Sequence, residues 1–439
     1  MNKELFVRIL NSEMQLATGC TEPAAVALAA AEAARALAQA GGKLEQLAVS
    51  ASTNILKNAM AAGIPGTPYT GMDYAAAIGA AGGDPDRLLE VINDVPREKL
   101  AEAEFLVKGG DVFVSKAETT KKLYIDVTAS GNGHTGRAVI QDLHTNIVLI
   151  QKDGEVVKEL SEDAQGKDGS DPTVTPDQIA EILSVRAIWE YCVGELDPLN
   201  DPIDIIRDAV SVNGAIAEAG MEREYGLGIG RMLKACCDEG IMTLDLTTNA
   251  MMLTAAASDA RMAGAPQSVV TNSGSGNQGI TATVPVVAAA RWLKVTEEMM
   301  LRAVTMSNLI VIHIKSRFGR LSNLCGATVA ATGVACAVTY LLGGGYEEVC
   351  NAVHNVVGNI AGMVCDGAKA DCALKISSCV NAAMQAACMA KRGIRVQSTD
   401  GVVEQDVERT INNFAVLSNQ GTDDQVILNL MLNKHDSHN

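Results

Sequence analysis

The sequence predicts an α+β protein: a large, mostly helical part and a smaller α/β part that holds an antiparallel sheet. Three observations predict it. Alanine, glycine and methionine are abundant while aromatic residues make up only 3% of the chain, a composition suited to closely packed helices. Between Phe105 and Val157, β-branched runs alternate with period two between Gly and Asn turns. Beyond about Ser161 almost every apolar run has helical spacing. With 439 residues, 48% of them apolar, the chain has material for two or three domains at roughly 100–200 residues each.

In chain order, PAAVALAAAEAARALAQA from Pro23 to Ala40 is a strong helix closed by Gly41-Gly42, able to pack on either part. LAVSASTN (Leu47–Asn54) alternates like a short strand and runs towards the turn Gly63-Ile64-Pro65-Gly66. FLVKGGDVFVSKA, KLYIDVTAS, GRAVIQDL and NIVLIQKDGEVV make the sheet, at about 105–157. The polar segment Ser161–Asp177 is the expected linker, dividing an α/β part (1–160) from a helical part (161–439). In the latter, helices fit Pro176–Leu196, Pro202–Ala219, Val295–Ile310 and Asp371–Met389. No repeat of fixed period is present.

Charge and composition exclude several function classes. With 52 acidic against 35 basic residues the net charge is −17, which repels phosphate backbones, and no Lys/Arg cluster offsets it locally. Aromatic stacking platforms for single strands are also scarce. Nucleic acid is therefore not an expected partner. No stretch reaches ~18 uninterrupted apolar residues, and charges scattered through MNKELFVRILNSEMQL leave no signal-peptide core. A soluble, cytoplasmic protein without membrane contact is expected. Eleven cysteines in such a chain read as reduced thiols, ligands or small core residues rather than disulfides.

Cys365, Cys372 and Cys379 fall seven residues apart, a buried stripe if the region is one helix. Gly367 and two aspartates in MVCDGAKADCALK argue for a loop instead, with Asp371 as N-cap of a helix starting at Cys372. The loop allows Cys365 and Cys372 to converge. Cys20, in ATGCTEPAAVAL, and Cys325, in RLSNLCGATVAATG, also stand where a helix begins. At such positions the helix dipole favours thiolate, the form that both metal ligation and base chemistry require. Cys336, Cys350, Cys379 and Cys388 lie mid-pattern in apolar helices, and these, with Cys192, Cys236 and Cys237, read as core. Zinc sites usually use close C-x₂₋₄-C pairs, and none is present. Three thiolates from separated segments suit an iron–sulfur cluster with one open iron better.

TNSGSGNQG (Thr271–Gly279) matches the dinucleotide fingerprint G-x-G-x-x-G, but the βαβ context fails. Two readings stay open: a bare turn, or an anion nest in which backbone N–H groups with Ser273, Ser275 and Asn277 hold a carboxylate.

Four motifs together, TGCTEP, SGSGNQG, LSNLCGAT and MVCDGAKADCALK, resemble the iron–sulfur L-cysteine desulfidases, relatives of the α chain of bacterial L-serine dehydratases. The resemblance spans nearly the whole chain. It implies a [4Fe–4S] cluster held by Cys325, Cys365 and Cys372 with one open iron, where L-cysteine undergoes α,β-elimination to sulfide, pyruvate and ammonia without pyridoxal phosphate. It also implies that Cys20 is the base removing the Cα proton, and that the protein is a homodimer acting on a free amino acid. The dehydratases carry an SSHT-type stretch near their start where this chain has GCTEP, which favours the desulfidase over an L-serine or L-threonine dehydratase. A non-enzymatic iron–sulfur or zinc protein, a carrier or a sensor, is the alternative of another class; Cys20 is its only good candidate for a fourth ligand.

Further substrate-binding candidates follow from placement. Asn54 and Lys57, with Asn58, sit between a strand and a Gly/Pro turn, where substrate loops often lie. Lys375 is either a surface lysine or a group that screens the cluster's charge or binds a carboxylate. In VIHIKSRFGRLS, alternation puts His313, Lys315 and Arg317 on one side of an extended segment, where Arg317 either clamps a carboxylate or belongs to a solvated face.

Overall fold

The computed structural model describes residues 3–160, 174–319, 322–421 and 423–436. It is α+β. Among the described residues the strands are β1 (Leu16–Thr18), β2 (Gln46–Ala51), β3 (Val112–Lys116), β4 (Tyr124–Gly131), β5 (His134–Gln141), β6 (Ile147–Lys152), β7 (Glu155–Glu159) and β8 (Ser268–Val270). Strands β2 to β7 form one sheet in the order β3-β2-β4-β5-β6-β7, and β1 pairs separately with β8. In β4, YIDVTASG, every second residue is buried, the signature of a sheet with one covered face.

The expected antiparallel sheet is mixed. β3 runs parallel to β2, while every other pair in this sheet is antiparallel. Phe105–Gly109, read above as strand, ends the helix Arg97–Gly109. The chain leaves β2 through the helices Thr53–Ala59, Met72–Gly82 and Arg97–Gly109, and such a crossover returns the next strand parallel. LAVSASTN likewise stops being strand at Ala51, so Asn54, Lys57 and Asn58 ride on a short helix.

The Ala-rich helix spans Thr21–Gln39, with Cys20 as its N-cap. From Pro23 to Ala31 it is apolar on all sides and buried on all sides, and Arg35 and Gln39 of its last turns are exposed. The sheet lies against one face and the helix Met72–Gly82 against another. Its side chains from Ala25 to Leu37 share one buried cluster with Leu47, Val49, Ile125 and Val127 of the sheet. The first helix, Lys3–Glu13, instead buries Phe6, Ile9 and Leu10 in the helical core, with Phe6 stacked on Tyr191 at 4.2 Å.

At the centre of the helical part is Gly326–Leu341, GATVAATGVACAVTYL, a segment without a charge. Helices Gly276–Leu293, Glu297–Phe318, Tyr346–Ile360 and Cys372–Ala390 all pack against it. Cys325 is its N-cap, so this central helix opens at a functional candidate.

Two helix boundaries depart from expectation for identifiable reasons. Pro176–Leu196 is not continuous: Leu183 is extended, the Ser184 hydroxyl caps a new short helix at Ala187 N–H, and a π-turn covers Glu190–Glu195. The expected linker falls mostly outside the described residues, and its end, Thr175, caps the helix Pro176–Ile182. VIHIKSRF is helical rather than extended, the end of Glu297–Phe318. The alternation of Ile310, Ile312 and Ile314 carries no facial information, because every residue from Leu309 to Lys315 is buried. Among the described residues no helix is long and apolar enough to cross a membrane.

Candidate active site

The TGCTEP and glycine-rich motifs are held together by backbone. β1 pairs with β8 in the register Leu16↔Val270. Beyond that pairing, Thr271 N–H donates to Gln15 O at 2.7 Å, Ser273 N–H to Glu13 O at 2.7 Å, and the Thr21 hydroxyl to Gly274 O at 3.0 Å. Cys20 is thereby fixed beside the loop. In the loop, Ser273 and Gly274 both have positive φ, and Ser275 then caps the helix Gly276–Leu293 through Gln278 N–H. The strand before the loop pairs antiparallel with β1, so no βαβ unit exists here and the dinucleotide reading stays excluded.

Cys325 and Cys365 are joined by a short antiparallel bridge, Leu324↔Val364. Cys325 N–H donates to Met363 O and Cys365 N–H to Asn323 O, each at 2.9 Å. A loop follows Cys365, and the next helix begins at Cys372. Gly367 in that loop has φ +100°, and a Cβ there would stand 2.3 Å from Lys57 O, so only glycine fits. Asp371 is the N-cap by position but makes no side-chain capping bond. Asp366 accepts from both Lys369 and Lys375; burial raises its pKa, and the two ammonium groups outweigh that and hold it at about 2. Lys375 is therefore a strut for the Cys365–Cys372 loop, also donating to Val364 O at 3.2 Å.

These segments wall one cleft of about 560 Å³, counted with its open mouth. Cys20, Cys325, Cys365 and Cys372 all line it, with Ser275 and Asn277 from the glycine-rich loop. Glu22, Asn58, Arg261 and Gln278 line it as well. Of these, Arg261 is the residue the sequence reading missed entirely. Its signal was a charged pair, Asp259 and Arg261, inside the otherwise apolar run AAASDARMAG, where both side chains are buried.

Several expected residues lie elsewhere. Ser273 points its hydroxyl to Asn272 Oδ1 and lines a separate small cavity with Glu13 and Lys315. Asn54 and Lys57 are buried on the helix Thr53–Ala59 and do not line the cleft. Arg317 is no carboxylate clamp for a ligand, because it serves a buried cluster. Its Nη2 donates to Glu408 Oε2 at 3.3 Å and its Nε to Asn412 Oδ1 at 2.8 Å, while His313 Nε2 meets Glu408 Oε2 at 2.8 Å. All eleven cysteines are free, but Cys388 is exposed and Cys236 and Cys237 are half-buried, so these three are not core residues.

The His313–Glu408–Arg317 cluster sets an acid limit on stability. Burial lowers the pKa of His313 below 6.5, so as pH falls the unfolded chain takes up this proton first. Burial raises the pKa of Glu408, but His313, Val185 N–H and Arg317 outweigh it and lower the pKa below 4.5. Both effects drain stability as pH falls, from about 6.5 for the histidine and below about 4.5 for the carboxylate. Glu408→Gln, which leaves Arg317 without its counter-ion, is expected to cost about 2 kcal/mol at neutral pH and to flatten a plot of Tm against pH below about pH 4.5, where the carboxylate would have titrated. A wild-type Tm unchanged between pH 7 and pH 5 would contradict this assignment.

The thiols do not behave as helix dipoles alone suggest. Burial pushes Cys20 up; Arg261 pulls it back and Glu22 adds to the rise. Burial, then repulsion from Cys365, Cys379 and Cys372, pushes Cys325 well up, and burial pushes Cys372 to about 12. Desolvation outweighs the dipole, and coordination to a metal reverses it by deprotonating a thiol outright. Among the described residues no three His, Cys, Asp or Glu side chains are grouped to hold a single metal ion. A cluster places its cysteine ligands on different irons, and Cys325, Cys365 and Cys372 line one cleft, with Glu22 as a carboxylate in the same wall.

A helical α+β fold that gathers these cysteines and a buried Gly-rich loop at one cleft defines a serine dehydratase-like protein. The chain belongs to the serine dehydratase alpha chain family, which matches residues 116–428. Relatives similar along the whole chain are described as UPF0597 proteins. That of Oleidesulfovibrio alaskensis is 45% identical, covering 98% of this chain and 98% of its own. Those of Porphyromonas gingivalis and Aeromonas hydrophila are 39% and 40% identical, covering 98% and 97% of this chain and 99% and 95% of their own.

Proposed function

We propose that this protein is a lyase that eliminates sulfide from L-cysteine, using a [4Fe–4S] cluster held by Cys325, Cys365 and Cys372 with one iron left open. The observation that carries the reading is that these three cysteines and Cys20 line one cleft. When bound, the cluster supplies a Lewis acid for the departing thiolate, and a soft leaving group suits iron better than hydroxide does. The chain supplies the rest. Cys20 Sγ takes the Cα proton, the Cβ–S bond breaks as the Cα–Cβ double bond forms, and 2-aminoacrylate hydrolyses in water to pyruvate and ammonium. The guanidinium of Arg261 favours the thiolate of Cys20 that this step requires, against the burial that opposes it. Glu22, held by Asn58 Nδ2 at 3.0 Å, keeps its carboxylate at the cleft wall. In this reading the protein works in the cytoplasm as a homodimer on free amino acid.

The test is product analysis under anaerobic conditions. Sulfide and pyruvate in equal amounts from L-cysteine, at a kcat/KM at least tenfold above that for L-serine, are the expected outcome. Turnover of L-serine or L-threonine alone moves the protein to a dehydratase, the activity that the family's description carries. Neither product from a brown protein leaves a carrier or sensor.

A further inference from the structure

Arg261 is buried, at 4% exposure, with no carboxylate paired to it among the described residues. Its Nε donates to Gly19 O at 3.1 Å and its Nη1 touches Met262 Sδ at 3.7 Å; among the described residues no carboxylate pairs with it and Nη2 has no acceptor. A guanidinium has five N–H donors, and burying one uncompensated costs several kcal/mol. The fold nonetheless makes room for it. A Cβ on Gly276 would lie 2.3 Å from Arg261 Nε and 2.5 Å from Cζ, so the glycine-rich loop can approach only because this position lacks a side chain.

The same cleft has an opposite pole. Glu22 is buried, and the amide oxygens Asn58 Oδ1, Asn277 Oδ1 and Gln278 Oε1 are buried acceptors with no hydrogen-bond partner. The poles meet at one atom: Met262 Sδ contacts Arg261 Nη1, Asn277 Nδ2 at 3.2 Å and Cys20 Sγ at 3.9 Å. A ligand with an anionic end gives Arg261 an acceptor, and a cationic end one carbon away gives donors to these acceptors.

We infer that Arg261 binds the α-carboxylate and Glu22, with the Asn58 and Asn277 amide oxygens, the α-ammonium of a free amino acid, so that the cleft selects zwitterions. The inference rests on the elimination reading only for what happens at Cβ; recognition stands apart from it. Binding of L-alanine tests it, because L-alanine has no leaving group. Calorimetry on the anaerobically reconstituted full chain should show L-alanine binding, with L-alaninamide (no carboxylate) and propionate (no ammonium) each weakened roughly 10- to 100-fold. Arg261→Gln should weaken L-alanine by a similar factor and raise KM for L-cysteine, and Arg261→Lys should recover part of the loss. Should Arg261→Gln fail to fold, the three ligands on the wild type still decide. L-Alanine binding that Arg261→Gln leaves unchanged, or L-alaninamide binding as tightly as L-alanine, would overturn the inference while L-cysteine turnover keeps the elimination reading. Arg261-dependent L-alanine binding in a protein that turns over no amino acid keeps the inference and removes that reading.

Discussion

Alanine at Cys325, Cys365 or Cys372 is expected to give a colourless protein with no measurable elimination of L-cysteine. Each substitution removes one of the three thiolates, and the one further thiol lining the cleft among the described residues, Cys20, is the base in this reading. The loss should not come from unfolding. Cys325 makes no side-chain capping bond, and the bridge that positions Cys325 and Cys365 runs through backbone groups that alanine keeps. Far-UV circular dichroism should therefore match the wild type. Cys379→Ala is the internal control: its thiol is buried behind the cleft with Met363 Sδ at 3.7 Å, and its loss should leave the colour intact. Full colour in any of the three ligand variants would remove that residue from the cluster.

Cys20→Ala should separate chemistry from cofactor. It is expected to keep the visible absorption and to slow L-cysteine turnover by roughly 10²- to 10⁴-fold, the range for removing a general base. Cys20 is buried against Met262, so the substitution also costs about 1 kcal/mol or a little more in lost packing, too little to unfold the chain. Bleaching in Cys20→Ala would make Cys20 a fourth ligand and favour a carrier, because the open iron would then be gone.

How much of this was legible in the sequence depended on whether local pattern and burial agreed. The helix Thr21–Gln39 was readable from its Ala-rich run and its glycine stop, and strand β4 because its period-two alternation coincides with its cover. The helix that carries His313 and Arg317 was not, since Ile310, Ile312 and Ile314 alternate inside a turn buried on every side. The parallel β2–β3 pair was hidden because period-two alternation does not encode strand direction. At the cleft, Cys20, Cys325 and Cys372 stood out by their positions at helix starts, whereas Ser273 and Ser275 look alike in sequence and are separated by a positive-φ turn that sends one into the cleft and one away from it. Arg261 escaped because one charged pair, Asp259 and Arg261, in an Ala-rich helix gives no spacing to read. Its role emerges only from the glycine packed on its guanidinium.

The most direct measurement is of metal and turnover in one preparation: iron, acid-labile sulfide, zinc and L-cysteine-dependent sulfide release, on protein purified and reconstituted without oxygen. Iron and labile sulfide in equal amounts are expected, with sulfide release rising in proportion to cluster content and falling when air bleaches the colour. A colourless protein that retains zinc, or turnover of L-cysteine that does not follow iron, would contradict a cluster at Cys325, Cys365 and Cys372.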